Sequence, residues 1–480
     1  MQPTTRDIPN QAKLWRFSER TCCEVLLYTR PQPRINEEDS EIFGFCAFRP
    51  VITQANEMYS PFIWKRIALA VSLLLSILLF VRYITISDIR QRYPILRRPH
   101  ESSVSGNISC FLLSANRKCT QILPGVTTWE RPAHVSKVMA LVFFGRRQTV
   151  SILDCYLKRN LVKNGGVLDG VIFVVRTKDA ANLALLDKMV ASEPAYERMQ
   201  VDLKSKGYTS SYEFIQDDVM YIKMDDDIVY IEDTAIKAIA SAKASRPDVY
   251  IMSANVVNQI LFSWLHRNFG AVKPYLPELT ERPADNESVP LTNWRTSVLP
   301  SWEGPADFQQ ETWSTERHPN HRWLPVRGRN ASYPLNDTPI AKVDYTYGYS
   351  HKHWQVAAQE HYSLLENLEK DELWRYRFPT WDFQLKRMGI QFVAMMGKDI
   401  NLAKPIPPDD EHHFTVEMPT RLGRHAAADG TGVVAHFSYG PQSGNPGVQS
   451  TDLLDRYRLF ARENICRGDL LWTPRDDSNS

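Results

Sequence analysis

Three consecutive aspartates, Asp225, Asp226 and Asp227, carry the strongest chemical signal of this 480-residue chain. They stand between two apolar runs, residues 219–224 and 228–231, which predict buried strands. Three adjacent carboxylates at the end of a buried strand repel one another, so they must be exposed, protonated or held by a cation. Two interpretations are open: a divalent metal that carries a diphosphate, and a solvated acidic turn.

The triplet lies within alternating strand and helix patterns. Short apolar runs predict strands, and apolar residues at helical spacing predict the helices between them. The predicted strands are 138–144, 171–175, 219–224, 228–231, 249–254, 391–395 and 432–437, and the predicted helices are 150–162, 180–191, 233–244, 355–375, 383–387 and 452–463. This alternation implies a Rossmann-like α/β fold, with a mixed, mostly parallel sheet and helices on both faces. Such sheets bind ligands at the C-terminal ends of their strands, so the position of the triplet favours the metal.

A second segment is more apolar than the solvent-exposed parts of a globular protein. Residues 67–81 are almost entirely apolar, and the stretch reaches about twenty residues, as far as Ile86, if Arg82 snorkels to the interface. We therefore expect one transmembrane signal anchor at 62–86, with a buried core helix as the alternative.

Two signals conflict over membrane orientation. The flank after the span is the more basic one, which favours a cytosolic C-terminal region. Four N-glycosylation sequons all follow the span, which favours a lumenal one. The sequons begin at Asn107, Asn286, Asn330 and Asn336. Cys110 and Cys119 could form a disulfide in an oxidising lumen, whereas Cys155 and Cys466 could equally be small buried hydrophobes.

Composition divides the rest of the chain. Residues 1–61 lack periodicity and predict a disordered cytosolic tail, and residues 87–136 predict a stem. The folded domain is expected at 137–472, followed by a polar tail at 473–480. Residues from about 274 to 341 are rich in Pro and Trp and interrupt the α/β pattern. We expect a plain insertion there rather than an acceptor-binding loop domain, because Trp is also a good core residue.

A membrane anchor, a stem, an α/β domain and a strand that ends in D-x-D together resemble a type II Golgi-style glycosyltransferase of the GT-A fold. The sequence is more closely similar to a group of fungal membrane glycosyltransferase-like proteins. The similar stretches are LVFFGRRQTVSILDCYLKRNLVKNGGVLDGVIFVV, YIKMDDDIVYIED, EHYSLLENLEKDELWRYRF, VVAHFSYGPQ and DLLDRYR. They span about Lys137 to Arg458, apart from the insertion. The resemblance implies a nucleotide-sugar-dependent, single-pass type II protein of the Golgi or ER membrane, with a lumenal catalytic domain.

The resemblance also implies roles for the triplet. Asp225 and Asp227 would hold Mn²⁺ or Mg²⁺ against the diphosphate of the donor. Asp226 would lie nearer the ribose or merely complete the turn. His436 follows an apolar run and would be a further ligand of the metal or diphosphate, with a structural role as the alternative.

Other residues are candidates for the nucleotide. Arg146 and Arg147 follow the first predicted strand, where the sheet would present them to a phosphate that arginine can bind bidentately. A solvated pair of arginines is the alternative. Asp169 and the Arg176–Thr177 region flank the second strand and could contact the base or ribose.

The acceptor side needs a general base if the reaction inverts the anomeric centre. Asp382 is the first candidate, because it lies among aromatic residues that could stack on a sugar ring. Asp399 and the acidic cluster at 409–411 are rivals. Glu360 and His361 could line an acceptor cleft or simply face solvent.

Charge and composition restrict the partners. The formal net charge of +2 gives no electrostatic reason to expect nucleic acid. We expect an enzyme that transfers a sugar from a nucleotide sugar to a glycan, protein or lipid acceptor. The alternative is a catalytically silent domain of the same fold that binds carbohydrate or serves as a scaffold.

Overall fold

The computed structural model describes residues 76, 129–202, 207–279, 291–305, 307–308, 320–327, 335–342, 353–444, 447–474 and 476. None of the helices formed by these residues is both long and apolar enough to cross a bilayer. The predicted tail at 1–61, the predicted anchor at 62–86 apart from residue 76, and residues 87–128 of the predicted stem lie outside them. The chain divides into two units, Met1–Asn107 and Ile108–Ser480, and every element below belongs to the second.

Eleven strands are defined in the described part of this unit. They are β1 (Lys137–Phe144), β2 (Gly170–Val175), β3 (Tyr196–Gln200), β4 (Val219–Asp225), β5 (Ile228–Ile231), β6 (Val249–Val257), β7 (Tyr275–Pro277), β8 (Trp323–Pro325), β9 (Trp381–Asp382), β10 (Phe392–Met396) and β11 (His425–His436). A nine-stranded sheet has the order β3-β2-β1-β4-β10-β6-β11-β5, with β9 added to β11, while β7 and β8 pair separately.

Most strands of the large sheet point the same way. Strands β1 to β4 are mutually parallel, and β6 is parallel to β11. Because β10 is antiparallel to both β4 and β6, these six strands share one direction. Strands β5 and β9 run antiparallel to β11. The expected α/β fold with a mixed, mostly parallel sheet is confirmed, and we call the side where the six strands end the C-terminal edge.

Helices follow most of these strands. They are α1 (Arg147–Asn160), α2 (Ala180–Ser192), α3 (Ala235–Ser245), α4 (Ile260–Asn268), α5 (Trp354–Glu369), α6 (Gly397–Leu402), α7 (Asp410–His412), α8 (Met418–Leu422) and α9 (Leu453–Asn464). The side chain of Asp179 caps α2 by accepting from the backbone N–H of Asn182, and Gln259 caps α4 in the same way. These caps satisfy N–H groups that a helix start leaves without partners.

Local sequence patterns miss the short strands β7, β8 and β9, and they fail at two further places. The predicted helix at 383–387 is absent from the structure, where Gln384 and Leu385 have φ angles of 52° and 58°. Such left-handed backbone cannot continue a right-handed helix. Strand β3 was not expected, because its exposed Glu197 and polar neighbours give it no apolar run. It is an edge strand, so only part of its surface needs to be apolar.

The Pro- and Trp-rich insertion contributes to the core. Strands β7 and β8 pair within it, and Trp294, Trp302 and Trp323 are buried. The indole N–H of Trp302 donates to the carbonyl of Pro277 at 3.0 Å. These three tryptophans are therefore packing residues, as expected of a plain insertion.

A disulfide links Cys155 in α1 to Cys466, which follows α9, across a sequence separation of 311 residues. The sequence left these two cysteines open to a role as buried hydrophobes, and the structure shows that they are bonded. Cys110 and Cys119, the other candidates for a disulfide, lie outside the described residues.

Candidate metal centre

The aspartate triplet lies where the chain changes strands. Strand β4, in the middle of the sheet, ends at Asp225, and Ile228 begins β5 on the far side of β11. Asp225 is level with Phe143 near the end of β1. The triplet thus occupies the C-terminal edge, where a parallel sheet binds its ligands.

The pairing of β5 with β11 brings His436 to the triplet. Ile228 lies opposite His436, so the last residue of β11 is beside Asp227. The backbone N–H of Phe437 donates to the carbonyl of Asp227 at 2.8 Å. The N–H of Ser438 donates to Oδ2 of Asp227 at 3.3 Å. These contacts fix the His436 loop against the triplet.

Three potential ligand atoms converge at this point. One carboxylate oxygen each from Asp225 and Asp227 and a ring nitrogen of His436 lie within 4.8 Å of one another. Nε2 of His436 is 3.2 Å from Oδ1 of Asp227 and 3.9 Å from Oδ2 of Asp225. Despite the nearby imidazole, the buried Oδ1 of Asp227 makes no well-formed hydrogen bond within the described part of the chain.

That donor set fits a divalent cation. A buried carboxylate oxygen without a hydrogen bond is costly, and a metal ion would satisfy it. Two carboxylates and one imidazole suit Mn²⁺, and Mg²⁺ would rely mainly on the oxygens. The three residues present therefore fit the expected metal, and they leave the remaining coordination positions to water or a ligand.

Asp226 has a different partner. Its Oδ2 accepts the backbone N–H groups of Gly145 and Arg146 at 2.5 and 2.7 Å, and its Oδ1 accepts Nε and Nη2 of Arg146 at 2.9 and 2.6 Å. The carboxylate is thus fully used in fastening the triplet to the loop after β1. Of the two roles expected for Asp226, completion of the turn agrees with this geometry, and contact with a ribose does not.

Arg146 lies between two members of the triplet. Besides its bonds to Asp226, its Nη1 is 3.2 Å from Oδ2 of Asp227, and 45% of its side chain is exposed. The charges of Asp227 and Asp226 outweigh the effect of burial and raise the pKa of this guanidinium. The exposed part of Arg146 is a fixed positive charge beside the candidate metal ligands.

Opposing effects set the protonation of the buried groups. Burial acts to raise the pKa of Asp227, but His436, Arg146 and the Ser438 N–H lower it to about 2. Burial acts to lower the pKa of His436, and the charges of Asp227 and Asp225 raise it overall. Burial raises the pKa of Asp226 to about 6, with Arg146 opposing the shift. Asp227 is therefore a carboxylate at neutral pH, as a metal ligand must be.

A pair of amides holds the His436 loop. Asn258, just after β6, donates from Nδ2 to the carbonyls of His436 and Phe437 at 3.1 and 3.2 Å, and to Oε1 of Gln442 at 2.9 Å. Gln442 Nε2 donates back to Oδ1 of Asn258 at 3.1 Å. Asn258 has a φ of 62°, a left-handed conformation that asparagine tolerates better than most residues. The ring of Tyr439 covers His436 edge-on, with centroids 4.8 Å apart.

The other residues that were predicted to contact the nucleotide lie in different places in the fold. The backbone N–H and the Nη1 group of Arg147 donate to Oδ1 of Asn182 at 3.2 and 3.1 Å, so Arg147 links α1 to α2. Arg176 follows β2 at the C-terminal edge and lies over the ring of Tyr208 at 4.5 Å. Asp169 precedes β2, accepts from Arg131 and from the Val138 N–H, and lies one six-residue strand, about 20 Å, from that edge. Asp169 therefore forms a structural ion pair with Arg131 at the opposite edge of the sheet, and the structure does not bring it near the triplet.

Asp382 is also separated from the triplet. It pairs with Ala427 near the start of β11, and its carboxylate is 2.8 Å from Nδ1 of His425. In the neighbouring strand β6, Met252 pairs with Ala427 and Val257 pairs with Ala435, which precedes His436. Met252 and Val257 are five positions apart, so Asp382 and His436 are about 17 Å or more apart. We therefore leave Asp382 out of the proposed site.

The rival carboxylates divide between the two edges. Asp399 follows β10 at the N-terminal edge and pairs with Arg424 at 2.7 Å. The hydroxyl of Tyr212 donates to Oδ2 of Asp410 at 2.9 Å, and the ring of Tyr212 packs against Phe143 near the end of β1, so this pair lies on the side of the triplet. Burial raises the pKa of both Asp410 and Glu411. Glu411 is held by Arg387 at 2.7 Å and its side chain is 25% exposed.

Glu360 and His361 are both buried in α5, so neither faces solvent. Burial raises the pKa of Glu360 to about 8, which keeps it largely protonated at neutral pH. His361 donates from Nε2 to the carbonyl of Phe437 at 3.0 Å, and its Nδ1 accepts from the hydroxyl of Tyr457 at 2.7 Å. His361 therefore supports the backbone that follows His436.

Sequence reasoning missed Lys223 and Asn258. Lys223 was the one charged residue in the apolar run before the triplet, and a buried strand accepts a lysine only with a partner. Asn258 directly follows the apolar run of β6, which was a signal of a special turn. Comparison of the sequence with protein-family models and with curated proteins finds no match.

Proposed function

We propose that this protein is a metal-dependent glycosyltransferase of the GT-A fold, which transfers a sugar from a nucleotide sugar to a glycan, protein or lipid acceptor. The observation that carries the proposal is the convergence of Asp225, Asp227 and His436 at the C-terminal edge of a mostly parallel sheet. D-x-D at this place, with a buried Asp227 oxygen that lies 3.2 Å from the imidazole of His436 but makes no well-formed hydrogen bond, supports a metal that holds a diphosphate.

Each part of the centre has a task in this proposal. Mn²⁺ or Mg²⁺ bound there would neutralise the charge that develops on the diphosphate leaving group. Asp225 and Asp227 supply the carboxylate oxygens, and His436 supplies the nitrogen. Arg146, partly exposed beside Asp227, adds a guanidinium that binds a phosphate oxygen.

For the acceptor side we assign the base role to Glu411 instead of Asp382. Glu411 comes from the rival cluster, and burial raises its pKa, which improves a carboxylate as a proton acceptor near neutral pH. Burial, and after it the charge of Glu411, raise the pKa of the Tyr439 hydroxyl, and the ring of Tyr439 lies 4.8 Å from that of His436, which supports a shared site.

The disulfide supports a secretory location. Disulfides persist in oxidising compartments and are rare in the cytosol. A bond between Cys155 and Cys466 therefore agrees with a lumenal domain of a Golgi or ER membrane protein. Peptide mapping of the protein from its native membranes, without reduction, should recover these two cysteines in one linked peptide. Two free thiols would count against the lumenal location.

Full-length protein purified in detergent tests the activity. We expect Mn²⁺-dependent hydrolysis or transfer with at least one UDP- or GDP-sugar, and its loss in Asp227→Asn. Asp233→Asn is the matched control, because Asp233 is 82% exposed and pairs with Arg159 outside the centre. Donor binding without turnover for any acceptor would instead indicate the catalytically silent carbohydrate-binding or scaffold domain. Activity that persists in Asp227→Asn would refute the metal role.

A further inference from the structure

Lys223 is a buried charge on the central strand. It lies on β4 opposite Leu141 of β1 and Val393 of β10, and only 4% of its side chain is exposed. A lysine is rarely tolerated in such a position unless it is paired.

Its ammonium group has defined partners. Nζ lies 2.6 Å from Oδ1 of Asp225, donates to the carbonyl of Ile390 at 2.9 Å, and is 5.1 Å from the centre of the Phe143 ring. Lys223 and Asp225 are two positions apart on one strand, so their side chains share a face of the sheet. This pair is built into β4 itself.

The pairing leaves Asp225 one oxygen for the metal centre. Lys223 takes Oδ1, whereas Oδ2 is the oxygen 3.9 Å from Nε2 of His436. Asp225 is thereby oriented to offer a single oxygen to a cation. A buried ammonium so close to that carboxylate also repels a divalent cation strongly, because a low dielectric screens the repulsion weakly.

Two cations therefore oppose three carboxylates around the centre. Lys223 pairs with Asp225, and Arg146 pairs with Asp226 and Asp227. The net charge that a bare metal ion meets is much less negative than the D-D-D sequence suggests. A diphosphate would restore the missing negative charge and fill open coordination positions.

We propose that Lys223 is a positioning residue that restricts Asp225 to one ligand oxygen and lowers the affinity of the centre for a bare divalent cation. This inference rests on the proposed metal site. Its consequence is that the centre holds its metal firmly only together with the diphosphate of the donor, so the free protein releases the ion readily.

The test is the binding of Mn²⁺ alone, without nucleotide, to full-length protein, measured by calorimetry and by the EPR signal of free Mn²⁺. Lys223→Met should bind Mn²⁺ at least tenfold more tightly than the wild type. Lys223→Gln removes the same charge but keeps a hydrogen-bond donor, so it serves if the methionine variant does not fold. Lys223→Arg keeps the charge and should stay within about threefold of the wild type.

Lys243→Met is the matched control. Lys243 is another buried lysine that donates to a strand carbonyl, Val249 O at 3.0 Å, and faces a carboxylate, Asp399, at 3.8 Å. It lies at the N-terminal edge, so its loss should leave Mn²⁺ binding unchanged.

The outcomes separate the two proposals. If folded Lys223→Met or Lys223→Gln binds Mn²⁺ no more tightly than the wild type, the inference about Lys223 fails. If Asp227→Asn leaves Mn²⁺ binding in a Lys223 variant unchanged, the metal centre itself is refuted. Tighter binding that is abolished by Asp227→Asn supports both.

Discussion

Nε2 of His436 lies 3.2 Å from Oδ1 of Asp227, although the two residues are far apart in the sequence. They meet because β5 begins directly after the triplet and pairs antiparallel with the end of β11. The carboxylate is fully buried, and the imidazole is nearly so. A polar pair of this kind, left partly unsatisfied at the binding edge of the sheet, is what a metal centre requires.

Replacement of His436 should weaken metal binding. His436→Gln removes the ring nitrogen from the ligand set, and we expect Mn²⁺ affinity in the presence of UDP to fall by at least about tenfold. Calorimetry on the full-length protein measures it. The control is His425→Gln at the start of the same strand, which pairs with Asp382 instead. Equal Mn²⁺ affinities for the two variants would show that His436 is not a metal ligand.

Asp226→Asn should destabilise the fold. The variant replaces one accepting oxygen by an NH2 group, so two of the four hydrogen bonds are lost, and it leaves the guanidinium of Arg146 without its closest carboxylate. We expect the free energy of unfolding to fall by about 3 kcal/mol, measured by urea denaturation. Asp233→Asn breaks an exposed pair with Arg159 and should cost less than about 1 kcal/mol. A small effect in both variants would show that Asp226 does not fasten the triplet.

Two substitutions of Asn258 separate backbone strain from lost hydrogen bonds. Both Asn258→Gly and Asn258→Ala remove the amide that holds the carbonyls of His436 and Phe437. The alanine variant should also be about 1 kcal/mol less stable than the glycine variant, because φ at this position is 62° and alanine is strained in that conformation.

Mn²⁺ affinity with UDP present should decrease about equally in the two variants, since the lost amide loosens His436 in both. Equal stability of the two variants would contradict the left-handed conformation. Unchanged Mn²⁺ affinity would show that His436 keeps its place without Asn258.

The buried His266 should make the free energy of unfolding depend on pH. Burial lowers the pKa of this histidine from 6.5 to about 3. Between these values the unfolded chain binds a proton that the folded protein does not, so the free energy of unfolding falls as pH falls from 6.5 towards 3. The contribution is at most about 1.4 kcal/mol per pH unit.

His266→Gln cannot titrate, yet it can donate to Asn255 as the imidazole Nε2 does at 2.7 Å. Urea denaturation across the pH range should therefore show a shallower acid loss for this variant than for the wild type. His425→Gln, at a half-exposed position, should follow the wild-type profile. Parallel profiles for the wild type and His266→Gln would contradict a neutral buried His266.

Most strands of the large sheet were predictable from local patterns, because their buried residues form apolar runs between turn residues. The position of Asp169 was predictable too, since a residue just before a parallel strand lies at the opposite edge from one just after it. Asp225 follows that rule at the end of β4, and Asp169 precedes β2.

The position of Asp382 was not predictable in this way. It depends on which part of β11 pairs with β9, and pairing between distant strands leaves no mark in local periodicity. For the same reason the sequence could suggest His436 only by resemblance. The antiparallel pairing of β5 with β11 is what brings it to Asp227.

The most direct measurement is anomalous diffraction from crystals of the protein with Mn²⁺ and UDP. We predict one strong manganese peak within about 2.5 Å of Asp225, Asp227 and His436, with the diphosphate on its open side. A manganese peak elsewhere, or a bound diphosphate with no peak between these three residues, would contradict it.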